Sequence, residues 1–118
     1  MGVAQVALNP GVVLEEIRRT LDQAPDAKAL REIRKILDEP AFFAILSEYL
    51  RGVNDPDTKS EILSDLIDIS RHCSDKSAQR KNQLTNVRYG IGTLSEEEQI
   101  YADIAGRTTK IREKFDAT

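Results

Sequence analysis

Side chains with metal-binding chemistry recur on one face of a predicted helix. At 100° per residue they fall within about 60° of arc, and they are Glu61, Asp65, Asp68 and His72. Carboxylate and imidazole groups are ligands for divalent metals, which makes this acidic stripe a candidate metal site. Solvated acidic faces are commonplace on helices, however, and a lone histidine is usually part of such a face. We therefore predict no metal site and no cofactor.

Nucleophilic catalysis needs a nucleophile, a base and an orienting group that are held together. The chain has one cysteine and one histidine, Cys73 and His72. On a helix, His72 projects to the polar face, whereas Cys73 projects to the apolar face of Ile62, Leu66 and Ile69. The sequence also lacks the GxxxxGK[ST], HExxH and GxSxG motifs. We therefore predict that Cys73 is a buried apolar residue and that the protein is not an enzyme.

A further group of charged side chains is cationic. No acidic residue occurs between Asp75 and Glu96, although cations recur there. We call residues 76–91 the basic segment. On a helical projection its cations share about 140° of arc with apolar residues, and the members of this mixed face are Lys76, Arg80, Lys81, Leu84, Val87, Arg88 and Ile91. Such a face suits a contact that neutralises charge while it buries apolar area.

Three contacts are consistent with the basic segment. It could pair with the acidic stripe if the two lie on adjacent helices of a hairpin. It could instead bind an acidic or mixed surface of another protein, through Lys76, Arg80, Lys81, Leu84 and Arg88. Nucleic-acid phosphate is the remaining possibility, and the cations that would then bind it are Arg71, Lys76, Arg80, Lys81 and Arg88. The net charge of −3 and the scarcity of aromatic residues disfavour nucleic acid.

The composition is that of one soluble domain. The chain has 118 residues, of which 40% are apolar and 31% are charged. No apolar run approaches the roughly 18 residues of a membrane span, and the first residues lack the basic flank of a secretory signal. One cysteine allows no internal disulfide. We therefore expect a cytoplasmic protein with no membrane contact, in which residues 1–8 are flexible.

Prolines mark where the predicted helices begin. Pro10, Pro25, Pro40 and Pro56 follow one another at intervals of 15 or 16 residues, each beside a polar residue. Proline fits the first helical turn because the amide that it lacks would be unpaired there. Between them, apolar residues recur with helical periodicity. The predicted helices lie near residues 10–24, 26–38, 40–52, 57–73, 75–88 and 95–115.

The apolar surfaces of two predicted helices indicate how those helices pack. Residues 40–52 are apolar over a wide arc, which predicts a central helix that is contacted on more than one side. The last helix begins with a capping-box pattern, Ser95 to Glu98. Its apolar stripe could pack on its own domain, or it could bind a partner or a second copy of the chain; the stripe comprises Ile100, Ile104, Ile111 and Phe115.

We therefore predict an all-α fold, a compact bundle of five to six short antiparallel helices. A short helical stack of the armadillo or HEAT kind is the alternative, because helices recur at a regular interval. The predicted function is a non-enzymatic protein-interaction or adaptor module. Its partner is an acidic or mixed protein surface or a second copy, and the alternative is a small RNA-binding protein.

Overall fold

The computed structural model describes residues 9–38, 40–52, 55–85 and 91–116. Within these residues the chain forms five helices and no strand, which confirms the predicted all-α bundle. The helices are α1 (Pro10–Asp22), α2 (Ala27–Asp38), α3 (Pro40–Arg51), α4 (Pro56–Leu84) and α5 (Ile91–Asp116). The prediction that residues 1–8 are flexible lies outside the described residues.

The helices begin where the proline pattern predicts. Pro10, Pro40 and Pro56 are the first residues of α1, α3 and α4. The side chain of Asn9 accepts hydrogen bonds from the first amides of α1, at 3.1 and 3.3 Å. Asp55 accepts one from the amide of Asp57 at 3.0 Å. These side chains satisfy amides that have no partner within the helix, and so they define where each helix starts.

The two long helices form an antiparallel hairpin, and α1 and α2 pack along it. The hydroxyl groups of Ser70 in α4 and Thr109 in α5 lie 2.7 Å apart, and Ser77 donates to Glu98 at 3.0 Å. α1 lies along α4, whereas α2 lies along α5. Because these four helices surround one core, the arrangement is a bundle and not a stack of repeats.

The core is built from one apolar stripe of each helix. Leu14, Leu30, Leu66, Ile69 and Ile104 are fully buried at its centre. Their spacing follows the 3.6-residue period read from the sequence, which explains why the periodic positions are those that are buried. Cys73 belongs to this core, as predicted.

α3 is not the central helix that its apolar composition predicts. It packs chiefly on α1 and α2, at the edge of the bundle. Phe42 and Leu46 are buried, whereas Phe43, Ile45 and Tyr49 are partly exposed. The centre is occupied by α4 and α5, whose length lets them contact the other helices along most of the molecule. Helix length therefore outweighs hydrophobic composition in deciding which helix is central.

The predicted break near residue 74 does not occur, because α4 is continuous from Pro56 to Leu84. Ser74 and Asp75 resemble the residues that cap a new helix, but no proline or glycine lies between Asp57 and Leu84 to interrupt the backbone hydrogen bonds. The acidic stripe and the start of the basic segment are therefore on one helix. They cannot face each other across a hairpin, as one of the three predicted contacts requires.

The core packing makes a direct prediction about stability. Leu66→Ala removes a fully buried side chain where α4 meets the other helices. We expect it to lower the free energy of unfolding by about 2–5 kcal/mol, because the vacated volume is only partly refilled. Val12→Ala is the control, since Val12 is 48% exposed, and its effect should be within about 0.5 kcal/mol. Urea denaturation followed by circular dichroism measures both; equal effects would contradict the proposed core.

Candidate interaction surface

The acidic stripe faces α1. The guanidinium of Arg18 lies 3.2 Å from the carboxylate of Asp65 and 3.4 Å from that of Asp68. One turn further, Nδ1 of His72 lies 3.9 Å from the carboxylate of Asp22. The stripe therefore contributes to packing between α1 and α4. Over the described residues, no three His, Cys, Asp or Glu side chains converge as metal ligands would.

Burial raises the pKa of two groups on α4. Desolvation raises the pKa of Asp65 above its ordinary value, although the nearby guanidinium of Arg18 acts in the opposite direction. Neighbouring carboxylates, foremost that of Asp68, add to the rise. Desolvation also raises the pKa of the Cys73 thiol to about 12. A buried thiol with that pKa is protonated at neutral pH, and it is therefore a poor nucleophile.

Arg80, a predicted partner-binding residue, is held within the domain. Its Nε lies 2.7 Å from the carboxylate of Glu97 on α5, and these side chains are only 19% and 15% exposed. Its guanidinium also lies over the ring of Tyr101, 5.8 Å from the centroid. Tyr101 is one of the largest fully buried side chains. Arg80 and Glu97 therefore cover the end of the core, and Arg80 is not free to bind a partner.

The three acids near the start of α5 each contact another helix. Glu96 lies 2.7 Å from the guanidinium of Arg31 on α2, Glu97 pairs with Arg80, and Glu98 accepts from Ser77. They do not cap the helix, because α5 begins at Ile91, before Ser95. The basic segment is thus partly neutralised inside the domain, but by α5 and not by the acidic stripe.

The core ends before α4 and α5 do. The last buried residues toward the turn are Cys73 on α4 and Ile100 on α5. No described side chain from residue 74 to 85, or from 92 to 99, is fully buried. We call residues 74–84 and 91–99 the arm. It extends roughly 16 Å past the core at 1.5 Å per residue, and it carries the first part of the basic segment.

The other predicted cations do not share one face. Lys81 is exposed, and Lys76 and Leu84 are partly buried. Arg71 is exposed, but it projects about 180° away from Arg80 at 100° per residue. Arg88 lies outside the described residues. The arrangement therefore does not bring the five cations of the nucleic-acid alternative onto one surface.

The apolar stripe of α5 packs into the domain. Ile100 and Ile104 are 0% exposed and Ile111 is 7% exposed, and all three belong to the core. Thr108 between them is buried too, and its hydroxyl donates to the carbonyl of Ile104 at 2.9 Å. These isoleucines are thus not available to bind a partner in this structure. The side chain of Phe115 lies outside the described residues.

Sequence reasoning missed a groove that exists because α4 lies beside α5. We call it the outer groove, since α1 and α2 pack on the opposite side of the hairpin. Its volume is about 470 Å³, and it is lined by Ile67, Ser70, Arg71, Ser74, Asp75 and Arg112. The serines at positions 70, 74 and 77 recur at helical spacing. Their short side chains on one face of α4 indicate that another helix can pack closely there. The contribution of Arg112 depends on the tertiary fold.

The chain matches no protein-family model, no curated protein and no solved structure. Within the part of the chain that the structure describes, no helix is both long and apolar enough to cross a membrane.

The Arg80–Glu97 pair makes a stability prediction. Arg80→Met retains much of the apolar stem but leaves the carboxylate of Glu97 without its cation. We expect a loss of about 1–3 kcal/mol, because hydrogen bonds to charged groups in partly buried sites are worth this much. Adding Glu97→Gln should recover part of the loss.

The matched control for that experiment is Arg19→Met. Its ion pair with Glu15 is 65% and 52% exposed, so we expect a loss within about 0.5 kcal/mol. Chemical denaturation gives the free energy of unfolding for all variants. If Arg80→Met costs no more than Arg19→Met, the pair does not secure the end of the core.

Asp65 makes the folded state sensitive to pH. Because its pKa is raised on folding, the folded state binds the proton more tightly than the unfolded state does. Its contribution to stability is therefore greatest when it is protonated, and it falls as pH rises from the ordinary value of 3.8 through the raised value. We expect Asp65→Asn to stabilise the protein at pH 7 by less than about 1 kcal/mol, and the gain to disappear near pH 4.

Asp68→Asn is the control for the pH experiment. It pairs with the same guanidinium, but its side chain is 45% exposed, against 16% for Asp65. Neutralising it removes an ion pair without removing a buried charge, and we expect a small loss of stability. Denaturation at pH 4 and pH 7 measures both variants. A larger gain for Asp68→Asn at pH 7 would contradict the assignment.

Proposed function

We propose that this protein is a non-enzymatic helical module that binds another protein through its arm. The observation that carries this proposal is the extension of α4 and α5 beyond the core. The helices continue past Cys73 and Ile100, where no further side chain of the described residues is fully buried. Exposing about three extra helical turns of α4 adds little to stability, and it presents a surface that a partner can reach.

The charges of the arm favour an acidic or mixed partner. Three of its four acids, Glu96, Glu97 and Glu98, already contact Arg31, Arg80 and Ser77; the fourth, Asp75, is exposed. Lys76 and Lys81, in contrast, form no ion pair with any described residue. An acidic protein surface would supply the missing counter-charges. Two copies packed arm to arm would instead bring lysines near lysines, which disfavours self-association through this surface.

Apolar side chains add to the contact that the arm can make. Leu84 on α4 and Leu94 on α5 are partly buried, although both lie beyond the last core residues. A partner that covered them would bury apolar area, and this burial would stabilise the complex by roughly 25 cal/mol per Å². The two lysines and two partly buried leucines offer positive charge together with apolar area to a protein partner, whereas nucleic-acid binding depends on cations that neutralise several phosphates.

Affinity capture from a lysate tests the proposal. Lys76→Glu with Lys81→Glu reverses the two arm cations that form no ion pair with a described residue, and we expect it to reduce capture of the bound protein at least tenfold, because opposite charges become like charges. The measurement is quantitative mass spectrometry of the captured proteins, with nuclease-treated lysate alongside. Circular dichroism should show unchanged helicity.

A variant on α2 controls for the change in net charge. Lys28 and Lys35 are both exposed, so Lys28→Glu with Lys35→Glu makes the same change away from the arm. It should capture the partner like the wild type. Equal capture by all three proteins would contradict the proposal, and capture that disappears on nuclease treatment would favour the RNA-binding alternative.

A further inference from the structure

One side of α4 faces none of the described helices. α1 contacts the flank that carries Asp65 and His72, and α5 contacts the other flank through Ser70 and Ser77. Between these flanks, five residues lie within about 100° of arc at 100° per residue. Four of them are exposed and Ile67 is partly buried. We call them the outer face, and they are Ile67, Arg71, Ser74, Asp75 and Ala78.

The outer face carries two opposite charges that do not pair with each other. Arg71 and Asp75 are one helical turn apart, a spacing at which an ion pair within the helix is possible. Neither forms an ion pair with any described residue, however. Both charges are exposed, and they are therefore available to another molecule.

Three other charged groups near the outer face already have partners. The carboxylate of Asp68 lies 3.4 Å from a guanidinium of α1. The carboxylate of Glu98 accepts a hydrogen bond from a serine of α4 at 3.0 Å. Arg112 also has a partner of its own. The charge that the outer face itself offers is thus balanced, with one cation and one acid.

The order of residues on the outer face is self-complementary under a two-fold rotation. Suppose that a second copy of α4 packs antiparallel on the first, with the axis near residue 73. Arg71 of each copy then lies opposite Asp75 of the other, which gives two equivalent ion pairs. The same axis places Ile67 opposite Ala78 of the second copy, because that pair is centred only half a residue away. Charged and apolar contacts are therefore satisfied in one register.

A short side chain at the centre lets the two helices approach closely. Ser74 lies beside the axis and is exposed. Ser70, one turn before it, points toward α5, where its hydroxyl lies 2.7 Å from that of Thr109. The distance between packed helices depends on the side chains at their contact. The crossing point is therefore a serine, flanked first by the ion pairs and then by the apolar contacts.

We propose that two copies of this chain associate through the outer faces of α4, which lie antiparallel so that Arg71 of each copy pairs with Asp75 of the other. Exposed ion pairs each contribute little to affinity. The association is therefore weak, and it is measured at high protein concentration.

This contact goes beyond the proposed function and leaves the lysines of the arm free. Lys76 and Lys81 project toward the flanks of α4 and not from the outer face. In the antiparallel register they lie about 9 and 24 Å along the helix from their counterparts, at 1.5 Å per residue. Like charges are thus kept apart, in contrast to packing of arm on arm, and an acidic partner can still bind.

A mixture of two charge variants tests the proposal. Arg71→Glu leaves only acids on the outer face and Asp75→Lys leaves only cations. Each variant alone should associate about tenfold more weakly than the wild type, because like charges then meet. An equimolar mixture should associate like the wild type, since an acidic face then meets a cationic one. Sedimentation equilibrium from micromolar to millimolar protein measures the average mass, which should rise from 13.2 kDa toward twice that value.

Disulfide trapping locates the contact on α4. Ser74→Cys brings two thiols within about 3 Å of each other along the helix, so oxidised glutathione should link the copies. The native Cys73 is buried. Ser64→Cys is the matched control, because Ser64 is also exposed on α4 but lies about 27 Å along the helix from its counterpart. Non-reducing electrophoresis should show a cross-linked pair for Ser74→Cys alone.

Several results would overturn the proposal. They are a mass of one chain at millimolar protein, charge variants that associate like the wild type, a mixture that associates no better than its components, and equal cross-linking of the two cysteine variants. Lys28→Glu controls for net charge, since Lys28 is exposed on α2, and it should associate like the wild type. Circular dichroism should show that all variants keep their helicity.

The arm variant separates this proposal from the proposed function. Lys76→Glu with Lys81→Glu should lose protein capture but keep the association of two copies. If that variant abolishes the association and Arg71→Glu does not, the copies meet through the arm and the proposal is wrong. If the association depends on Arg71 as expected but capture does not depend on the arm, only the proposed function fails.

Discussion

α4 and α5 pack against each other over most of their length, and the other helices are placed by that pairing. Leu66, Ile69 and Cys73 on α4 meet the buried isoleucines of α5, while α1 and α2 occupy one side of the pair. Two long helices can bury a continuous apolar stripe, whereas α3, although more apolar, is too short to serve as the centre. The hairpin thus decides which surfaces are inside the bundle and which remain open.

Charged side chains cover the end of the core. They lie where the buried apolar stripes of α4 and α5 stop and the two helices continue into solvent. Arg80 and Glu97 cover Tyr101 where the apolar residues stop, and Arg31 joins α2 to the same region through Glu96. A cluster of this kind excludes water from the core while it satisfies the polar groups of the arm. It also uses charges that sequence reasoning would assign to a partner.

The proposed function uses cations of α4 that do not take part in these internal ion pairs. Lys76, Lys81 and Arg71 are not part of the core; Lys81 and Arg71 are exposed, and Lys76 is partly buried. The buried isoleucines of α5 and Cys73, by contrast, act in the fold. The proposal therefore assigns binding to accessible residues and assigns the buried residues to the fold.

The sequence by itself determined the all-α class, the starts of α1, α3 and α4, and the burial of Cys73, because local capping and a 3.6-residue period require no distant partner. Sequence could not show that α4 continues through Ser74, since a capping residue is tolerated within a helix that tertiary packing stabilises on both sides. Only the tertiary structure decided that Arg80 pairs with Glu97, that the acidic stripe faces Arg18, and that Arg112 lines the same groove as Ser74. Those contacts join residues far apart in the chain, and helical periodicity gives the face of a residue but not the helix that will lie opposite.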